Sequence, residues 1–271
     1  QKAILSSAQL LDKAVAKERI GHEILKTMTL KNPSLFFRAL KESGLLCKIF
    51  PCLDRCYDLD GGQHHNETVF EHCMLVGDAL TPELPVLRLA GYLHDTGKYD
   101  AAVMKDGHLY FAGHENHVEA AIQDLAELRF SAKNISYIAA LIKVHMHPMK
   151  NDTSPRAVRR LLARLAELDL NYRDFTRMRI ADRKGNLAKK PYTLSYIKAR
   201  LKKILNEIQQ SHALTINELE ISGHDIMKIL SLPPSPEVGK VKEFLFEKVL
   251  DDPSLNRYEE LEKLCLSFLS P

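Results

Sequence analysis

The sequence predicts an all-α protein, and three observations support this fold class. Apolar residues recur every three or four positions along most of the 271 residues, as on the buried face of an amphipathic helix. Proline, glycine and asparagine separate these stretches where helices would begin or end. The alternating pattern of a strand is weak throughout, and only residues 107–111 are expected to form a short extended arm.

The predicted helices can be placed in chain order from their apolar spacing and their flanking residues. The second opens at Asn32-Pro33-Ser34, and the fourth is a buried helix that ends near His94. Residues 51–67 contain Pro51, adjacent glycines and a polar run, and are predicted as a loop. Helices are expected at about 7–28, 34–44, 69–79, 86–94, 115–128, 134–146, 155–168, 171–183 and 191–210, then from 222 and at 236–250.

The composition limits the classes of function. The formal net charge of +3 suits an anionic substrate without requiring nucleic acid. No apolar run approaches the roughly 20 residues of a membrane helix and no signal peptide is visible, so no membrane partner is expected. The five cysteines form no CxxC pair, which favours a reducing cytoplasm. Because the chain begins at Gln1 rather than at methionine, we expect a fragment or a processed protein.

The segment Leu93-His94-Asp95-Thr96-Gly97-Lys98 carries the main chemical signal. The apolar run before it predicts a buried helix, which would deliver His94 and Asp95 into the interior. A charge there is costly unless it is paired or binds a metal. Gly97 would permit a sharp helix end, and Lys98 would place a cation beside the site.

Two more residues on apolar helices complete a candidate metal site. His72 alone would be interpreted as a hydrogen-bonded core histidine, but it precedes His94-Asp95, and Asp182 follows them near Gly185. Two imidazoles and two carboxylates from three helices make a mixed nitrogen and oxygen ligand set. The sequence does not choose among Mn²⁺, Fe²⁺, Co²⁺, Ni²⁺, Zn²⁺ and Mg²⁺.

This H…HD…D order resembles the HD phosphohydrolase superfamily, which implies an HD-domain helical bundle with additional N- and C-terminal helices. His114 and His145 fall between the His-Asp pair and the last aspartate. In some enzymes of that superfamily, histidines at these places complete a second metal site. In single-metal members they contact phosphate or donate a proton. We expect one ion rather than two, with both histidines lining the pocket.

A closer resemblance is to the neck, body and HD region of bacterial tRNA nucleotidyltransferases and poly(A) polymerases. The catalytic head of that family, with its Gly-Gly and paired-Asp motifs, has no counterpart here, so this chain alone is not expected to add nucleotides. The resemblance implies a neck- and body-like segment over 1–60, an HD core over 61–190 and a helical tail over 191–271. The phrases that carry it include Gly44-Leu45-Leu46, Gln63-His64-His65, Gly113-His114-Glu115, Val158-Arg159-Arg160 and Gly223-His224-Asp225.

The first functional hypothesis is a metal-dependent phosphohydrolase that acts on phosphomonoester or phosphodiester bonds of nucleotides or of RNA 2′/3′ ends. Asp95, or Asp182, would orient water, and Lys98 and His114 would neutralise charge on the phosphoryl oxygens. His145 is the candidate acid for the leaving alcohol. The residues expected to bind substrate are His64, His65, Lys98, His114, His145, Arg159 and Arg160.

Two alternatives stay open. The chain could be a non-catalytic tRNA-binding body that partners with a separate nucleotidyltransferase head, or a signalling-type HD hydrolase of cyclic or hyperphosphorylated nucleotides. The basic residues fit both an RNA phosphate track and a solvated helix face. The charge pattern of Arg156, Arg159, Arg160 and Arg164 favours the solvated face, and the resemblance makes the two interpretations about even.

Overall fold

The computed structural model describes residues 15–148, 150, 152–210 and 213–268, and these are mostly helical, which confirms the all-α fold class. The chain divides into two compact units. Unit 1 comprises the chain up to residue 148 together with 170–193, and unit 2 comprises 149–169 together with the chain from 194 onward. The predicted division at residues 60 and 190 stays a prediction.

The elements follow one another in this order. The α-helices are α1 Lys17–Thr27, α2 Ser34–Glu42, α3 Leu46–Ile49, α4 Pro51–Asp54, α5 Val69–Ala79, α6 Pro85–Leu93, α7 Lys98–Ala101, α8 Glu119–Glu127, α9 Ala132–Val144, α10 Pro155–Glu167, α11 Tyr172–Gly185, α12 Leu194–Gln210, α13 Gly223–Leu230, α14 Pro236–Asp251 and α15 Tyr258–Phe268. Strands β1 Val103–Lys105 and β2 His108–Tyr110 form one antiparallel pair, and short 3₁₀ turns lie at His114–Asn116, Ile216–Glu218 and Pro253–Leu255.

The core of unit 1 is built around α5 and α6. Helix α5 packs against α6 and α11, and α9 packs against α6. Gly77 of α5 permits the close contact between α5 and α6, because a Cβ atom at this position would lie 2.4 Å from the ring of Tyr92 on α6. Phe70, Tyr92, Leu141 and Phe175 are fully buried in this core. These helices therefore approach closely enough to bring their polar residues together.

Arg88 ties the N-terminal segment to this core. It lies on α6 and is 1% exposed. Its guanidinium donates hydrogen bonds to the carbonyls of Gly77 at 3.0 Å, Met28 at 2.8 Å and Lys31 at 2.9 Å, and to that of Leu30. One buried side chain thus donates to four backbone carbonyls, and the bonds to Gly77 and Met28 are fully buried.

The β-hairpin confirms the extended arm predicted near 107–111, although its first strand, β1, was not predicted. Asp106 has φ 51° and Gly107 has φ 75°, as in the type I′ turns that join two-residue hairpins. The register pairs Val103 with Tyr110. Because the strands are mostly exposed, the Asp-Gly turn was a better signal than the apolar pattern.

Unit 2 has its own hydrophobic core, in which α13 packs against α14 and α15. Ile226, Val241, Leu245 and Leu261 are each fully buried there. Arg159 of α10 is also buried, and donates to Glu207 at 2.8 Å and to the carbonyl of Leu250 at 2.7 Å.

Most predicted helices are present within a few residues of their expected bounds. The first helix within the described residues begins at Lys17, and the expected start at 7–14 lies outside them. The predicted loop 51–67 opens with α4, where Pro51 occupies the favoured first helical position. Helices α3, α7 and α15 were not predicted. Among the described residues, no helix is long and apolar enough to cross a membrane.

Candidate functional site

Asp95 lies at the centre of a buried cluster of histidines and carboxylates in unit 1. Its Oδ2 atom is 2.7 Å from Lys98 Nζ and 3.4 Å from His94 Nε2. Its Oδ1 atom is 3.0 Å from His114 Nε2 and 3.3 Å from His145 Nε2. The two oxygens of one carboxylate therefore face two different sets of side chains.

Helix α6 delivers His94 and Asp95, as the sequence predicted, because its apolar residues are buried up to its last turn. Gly97 has a different role from the expected one, since its φ of −66° is an ordinary helical value. A Cβ atom at Gly97 would lie 2.3 Å from the carbonyl oxygen of His114 and 2.6 Å from that of His117. Gly97 thus lets the 114–117 segment approach the cluster.

His72 and Asp182 join the cluster from α5 and α11. His72 Nε2 lies 3.2 Å from Asp182 Oδ1 and 3.6 Å from Asp95 Oδ2. The two residues are 110 positions apart, and the packing of α5 against α11 brings them together. The structure therefore places all four predicted metal ligands in one cluster, together with His114 and His145.

Three of the imidazoles share one hydrogen-bond pattern. Nδ1 of His94, His114 and His145 lies 2.9, 2.9 and 2.6 Å from the backbone carbonyl three residues earlier. A carbonyl only accepts, so each Nδ1 carries the proton and donates it. The Nε2 lone pairs are then left facing Asp95, which is how histidine ligands are oriented at metal sites.

Glu67 lies beside His72 and was missed by the sequence analysis. Its Oε1 is 3.3 Å from His72 Nδ1 and 2.7 Å from His65 Nδ1. Its Oε2 accepts from the backbone N–H of Asn66 at 3.0 Å and of Leu187 at 3.1 Å. Burial would raise the pKa of Glu67, but its hydrogen bonds to His72 and His65 lower it to about 2, so it is ionised. Nothing in the polar run 63–68 distinguished this carboxylate.

The cluster fits a metal ion by an observation independent of motif. His94 Nε2 and Asp95 Oδ1 are buried and have no hydrogen-bond partner among the residues that the structure describes. An unpaired buried polar atom is costly, and a cation at the cluster would satisfy both. Ligand atoms of His72, His94 and Asp182 all lie within 4.8 Å of one another, as do those of His94, Asp95 and His145. Imidazole and carboxylate donors together suit a divalent transition metal.

The charges within the cluster follow from burial and from its hydrogen bonds. Burial lowers the pKa of His94 to about 3, so this imidazole is neutral near pH 7. Burial would raise the pKa of Asp95, but His94 and Lys98 hold it well below its usual range. Burial also opposes charge on His72, yet the carboxylates of Asp182, Glu67 and Asp95 together outweigh burial and raise the pKa of His72 to about 9. The metal-free cluster therefore keeps a proton on His72.

A cavity of about 370 Å³ reaches this cluster, and all its lining residues belong to unit 1. Asp95, Asp182, His114 and His145 line it from the cluster. Such a volume suits a small organic ligand. The lining also includes three cationic side chains, those of Lys98, Arg179 and Lys189.

The predicted substrate-binding residues fall in two places. His64, His65 and Lys98 line the cavity, and Lys98 Nζ lies 3.4 Å from His65 Nε2. Arg159 and Arg160 are in unit 2, where Arg159 is bonded within the unit and Arg160 pairs with Glu247. Their proposed role in binding substrate stays a prediction, because their described partners are structural.

The comparisons with known proteins agree with the resemblance inferred from the sequence. Residues 1–57 match a family described as "Probable RNA and SrmB-binding site of polymerase A". The CC-adding tRNA nucleotidyltransferase of Thermus thermophilus is 28% identical over 244 residues, which are 86% of this chain and 52% of the relative. The A-adding enzyme of Deinococcus radiodurans is 29% identical over 243 residues, with 86% and 54% covered.

A third relative matches a shorter part of the chain at a higher sequence identity. The "Multifunctional CCA protein" of Aromatoleum aromaticum is 37% identical over 102 residues, which are 36% of this chain and 25% of the relative. The chain spans about half the length of the first two relatives. It is thus similar to the C-terminal region of tRNA nucleotidyltransferases, which confirms the predicted resemblance.

Proposed function

We propose that this chain binds tRNA-like RNA and that unit 1 contains a metal-dependent phosphohydrolase centre for phosphate esters of nucleotides or RNA 2′/3′ ends. The RNA-binding family match and the tRNA-specific names of the relatives support the first part. One observation carries the second part. Asp95 lies 2% exposed between two sets of imidazoles, with its Oδ1 unpaired, in an open cavity with cationic side chains.

An RNA-binding body without hydrolytic activity is the second candidate, and the comparisons favour it more directly than they favour hydrolysis. Under this alternative, the cluster would be a structural remnant and the relatives' RNA would be bound without a reaction. The intact set of donors and the buried unpaired atoms are the observations that favour a working centre.

A divalent ion held by His72, His94, Asp95 and Asp182 would supply Lewis acidity toward a phosphate oxygen and would lower the pKa of water. Manganese, iron, cobalt, nickel, zinc and magnesium are all candidates on this donor set. Three imidazoles would be held in place by their Nδ1–H bonds to backbone carbonyls. Glu67 would orient the fourth, His72.

The side chains around the ion would have separate roles in hydrolysis. In this reaction the oxygen of water forms a new bond to phosphorus, the bond to the leaving alcohol breaks, and the leaving oxygen takes up a proton. Asp95 or Asp182 would accept a hydrogen bond from the attacking water. Lys98 would donate to the phosphoryl oxygens. His114 and His145 keep their Nδ1 protons on backbone carbonyls, so each would donate from Nε2 only as a doubly protonated imidazolium, His114 to a phosphoryl oxygen and His145 to the leaving oxygen.

Turnover of bis-p-nitrophenyl phosphate and of nucleoside 2′,3′-cyclic phosphates, measured with each candidate metal, tests the hydrolytic part. Fluorescence anisotropy with labelled tRNA tests RNA binding in the same preparation. We expect turnover that chelation abolishes and added metal restores. Tight tRNA binding with no turnover under any metal would establish the second candidate instead.

The number of ions is open to a direct test, and we predict one per chain. His114→Ala and His145→Ala should each lower turnover yet keep about one ion per chain, because the other four predicted ligands remain. Metal content measured by mass spectrometry decides the point. Asp95 faces both sets of imidazoles, so a second ion is also sterically reasonable. Two ions in the wild type and one in either variant would assign both histidines as ligands.

Metal binding at about pH 7.5 is predicted to release about one proton from His72. The pKa of metal-free His72 is raised to about 9, so its ring is charged at this pH and must become neutral to coordinate. His94 should contribute nothing, because its pKa is lowered to about 3. Calorimetry in buffers of different ionisation enthalpy measures the released protons. Release should shrink as the pH rises through 9, and heats that are independent of the buffer near neutrality would contradict the prediction.

A further inference from the structure

Three cationic side chains line the cavity, and one of them is not used by the centre described above. Lys98 pairs with Asp95 at 2.7 Å. Arg179 donates from Nη1 to Asp182 Oδ2. Lys189 also lines the cavity, yet within the described part of the chain no carboxylate forms an ion pair with it. Its charge is therefore available to a ligand.

The backbone of Lys189 is held in place by a compact set of hydrogen bonds. Asn186, 4% exposed, accepts from Ala188 N through its side chain at 3.1 Å and from Lys189 N through its carbonyl at 3.2 Å. Leu187 N donates to the buried carboxylate of Glu67 at 3.1 Å. The segment that carries Lys189 is thus bonded to Glu67, whose carboxylate also lies beside the candidate metal ligand His72.

Lys189 has several cations around it. Burial lowers the pKa of Lys189, Asp182 offsets part of this effect, and the nearby cations Arg183, Lys98 and Arg179 lower the pKa further. An anion bound beside Lys189 would relieve this repulsion. Lysine is a common partner of phosphate as a compact point charge.

Lys189 is more exposed to solvent than the residues of the buried cluster. Asp95, His114 and His145 are at most 4% exposed, whereas Lys189 is exposed and lies at the rim. A phosphate that reacts at the cluster would leave the ammonium group of Lys189 facing a different part of the ligand. The cavity of about 370 Å³ is large enough for more than a single phosphate group.

We propose that Lys189 binds a second, non-reacting phosphate group of the substrate, which assigns the cavity to ligands that carry two phosphate groups. This inference rests on the proposed hydrolytic function. The second phosphate could be the 5′-phosphate of a single nucleotide or the backbone phosphodiester that precedes the end of an RNA strand. Both sources present the same anionic chemistry to Lys189.

Three substrates distinguish these sources: a nucleoside 2′,3′-cyclic phosphate, the same compound with a 5′-phosphate, and a dinucleotide that ends in a 2′,3′-cyclic phosphate. We expect the two-phosphate substrate that fits the cavity to have a kcat/KM about tenfold higher than the substrate with one phosphate, mainly because its KM is lower. Lys189→Gln should reduce this advantage toward one, and added salt should weaken it in the wild type. Lys190→Gln is the matched control, because Lys190 is the exposed neighbour outside the cavity lining and should keep the wild-type ratio.

Binding of a fluorescent dinucleotide 3′-phosphate, measured by anisotropy, keeps this test separate from the hydrolytic proposal. If the wild type hydrolyses nothing, the proposed function fails, and a weaker affinity in Lys189→Gln but not in Lys190→Gln still supports the subsite. If the wild type hydrolyses all three substrates equally well, or if Lys189→Gln lowers all three alike, the second-phosphate subsite is wrong.

Discussion

Replacing Asp95 with asparagine is expected to remove bound metal and to lower phosphodiester turnover by at least ~10³-fold, the scale seen when a central catalytic group is removed. The amide keeps the shape of the side chain but loses the negative charge. It also replaces one acceptor oxygen with an NH₂ group that cannot bind a cation. Because both carboxylate oxygens face imidazoles, at 3.0 and 3.4 Å, no neighbouring group can substitute for them.

Asp58→Asn is the matched control for Asp95→Asn. Asp58 is exposed and does not line the cavity, so this variant should retain wild-type metal content and activity. Circular dichroism should show the same helical content in both variants. Full metal occupancy and unchanged turnover in Asp95→Asn would show that the cluster is not the metal centre.

Replacing Arg88 with methionine is expected to lower the free energy of unfolding by about 3–5 kcal/mol. Methionine fills a similar volume, but it removes four hydrogen bonds to backbone carbonyls, of which those to Gly77 and Met28 are buried. The 28–31 segment should lose its attachment to α6. Denaturant titration followed by circular dichroism measures the change, and limited proteolysis should cleave the N-terminal helices first.

Arg19→Met serves as the comparison for Arg88→Met. Arg19 is exposed on α1, and a surface substitution of this kind usually changes the free energy of unfolding by no more than about 0.5 kcal/mol. Equal stability losses in the two variants would contradict the anchoring role of Arg88. A loss confined to Arg88→Met that leaves metal content intact would separate folding from the centre.

The helices were largely predictable because their boundary residues have strong local preferences. Helix α5 spans Val69–Ala79 as expected, and its N-cap Thr68 accepts from Glu71 N. Helix α15 could also have been found, since Leu261 and Cys265 are buried at helical spacing. Strand β1 is different, because its residues are exposed and it is fixed by the turn that follows it.

The site was predictable only where residues sit on buried helices. His72, His94 and Asp182 were identified because polar side chains on apolar helices need a partner. Glu67 and Lys189 were not, since their roles depend on contacts between segments about 120 positions apart. Such contacts leave no local periodic signal. For Arg159, a local basic pattern suggested phosphate binding. The structure instead pairs this side chain with Glu207, a contact that the local sequence does not reveal.

The discontinuity of unit 1 has a consequence for how the protein is made. Residues 149–169 belong to unit 2 and separate most of unit 1 from its last segment, 170–193, which carries Asp182 and Lys189. During synthesis, the cluster cannot close until the ribosome has released residues well beyond 182. Closing such a long loop is slow compared with forming local helices. Until then, His72 lacks Asp182, and α5 lacks the helix α11 that packs against it, so part of the apolar core stays exposed.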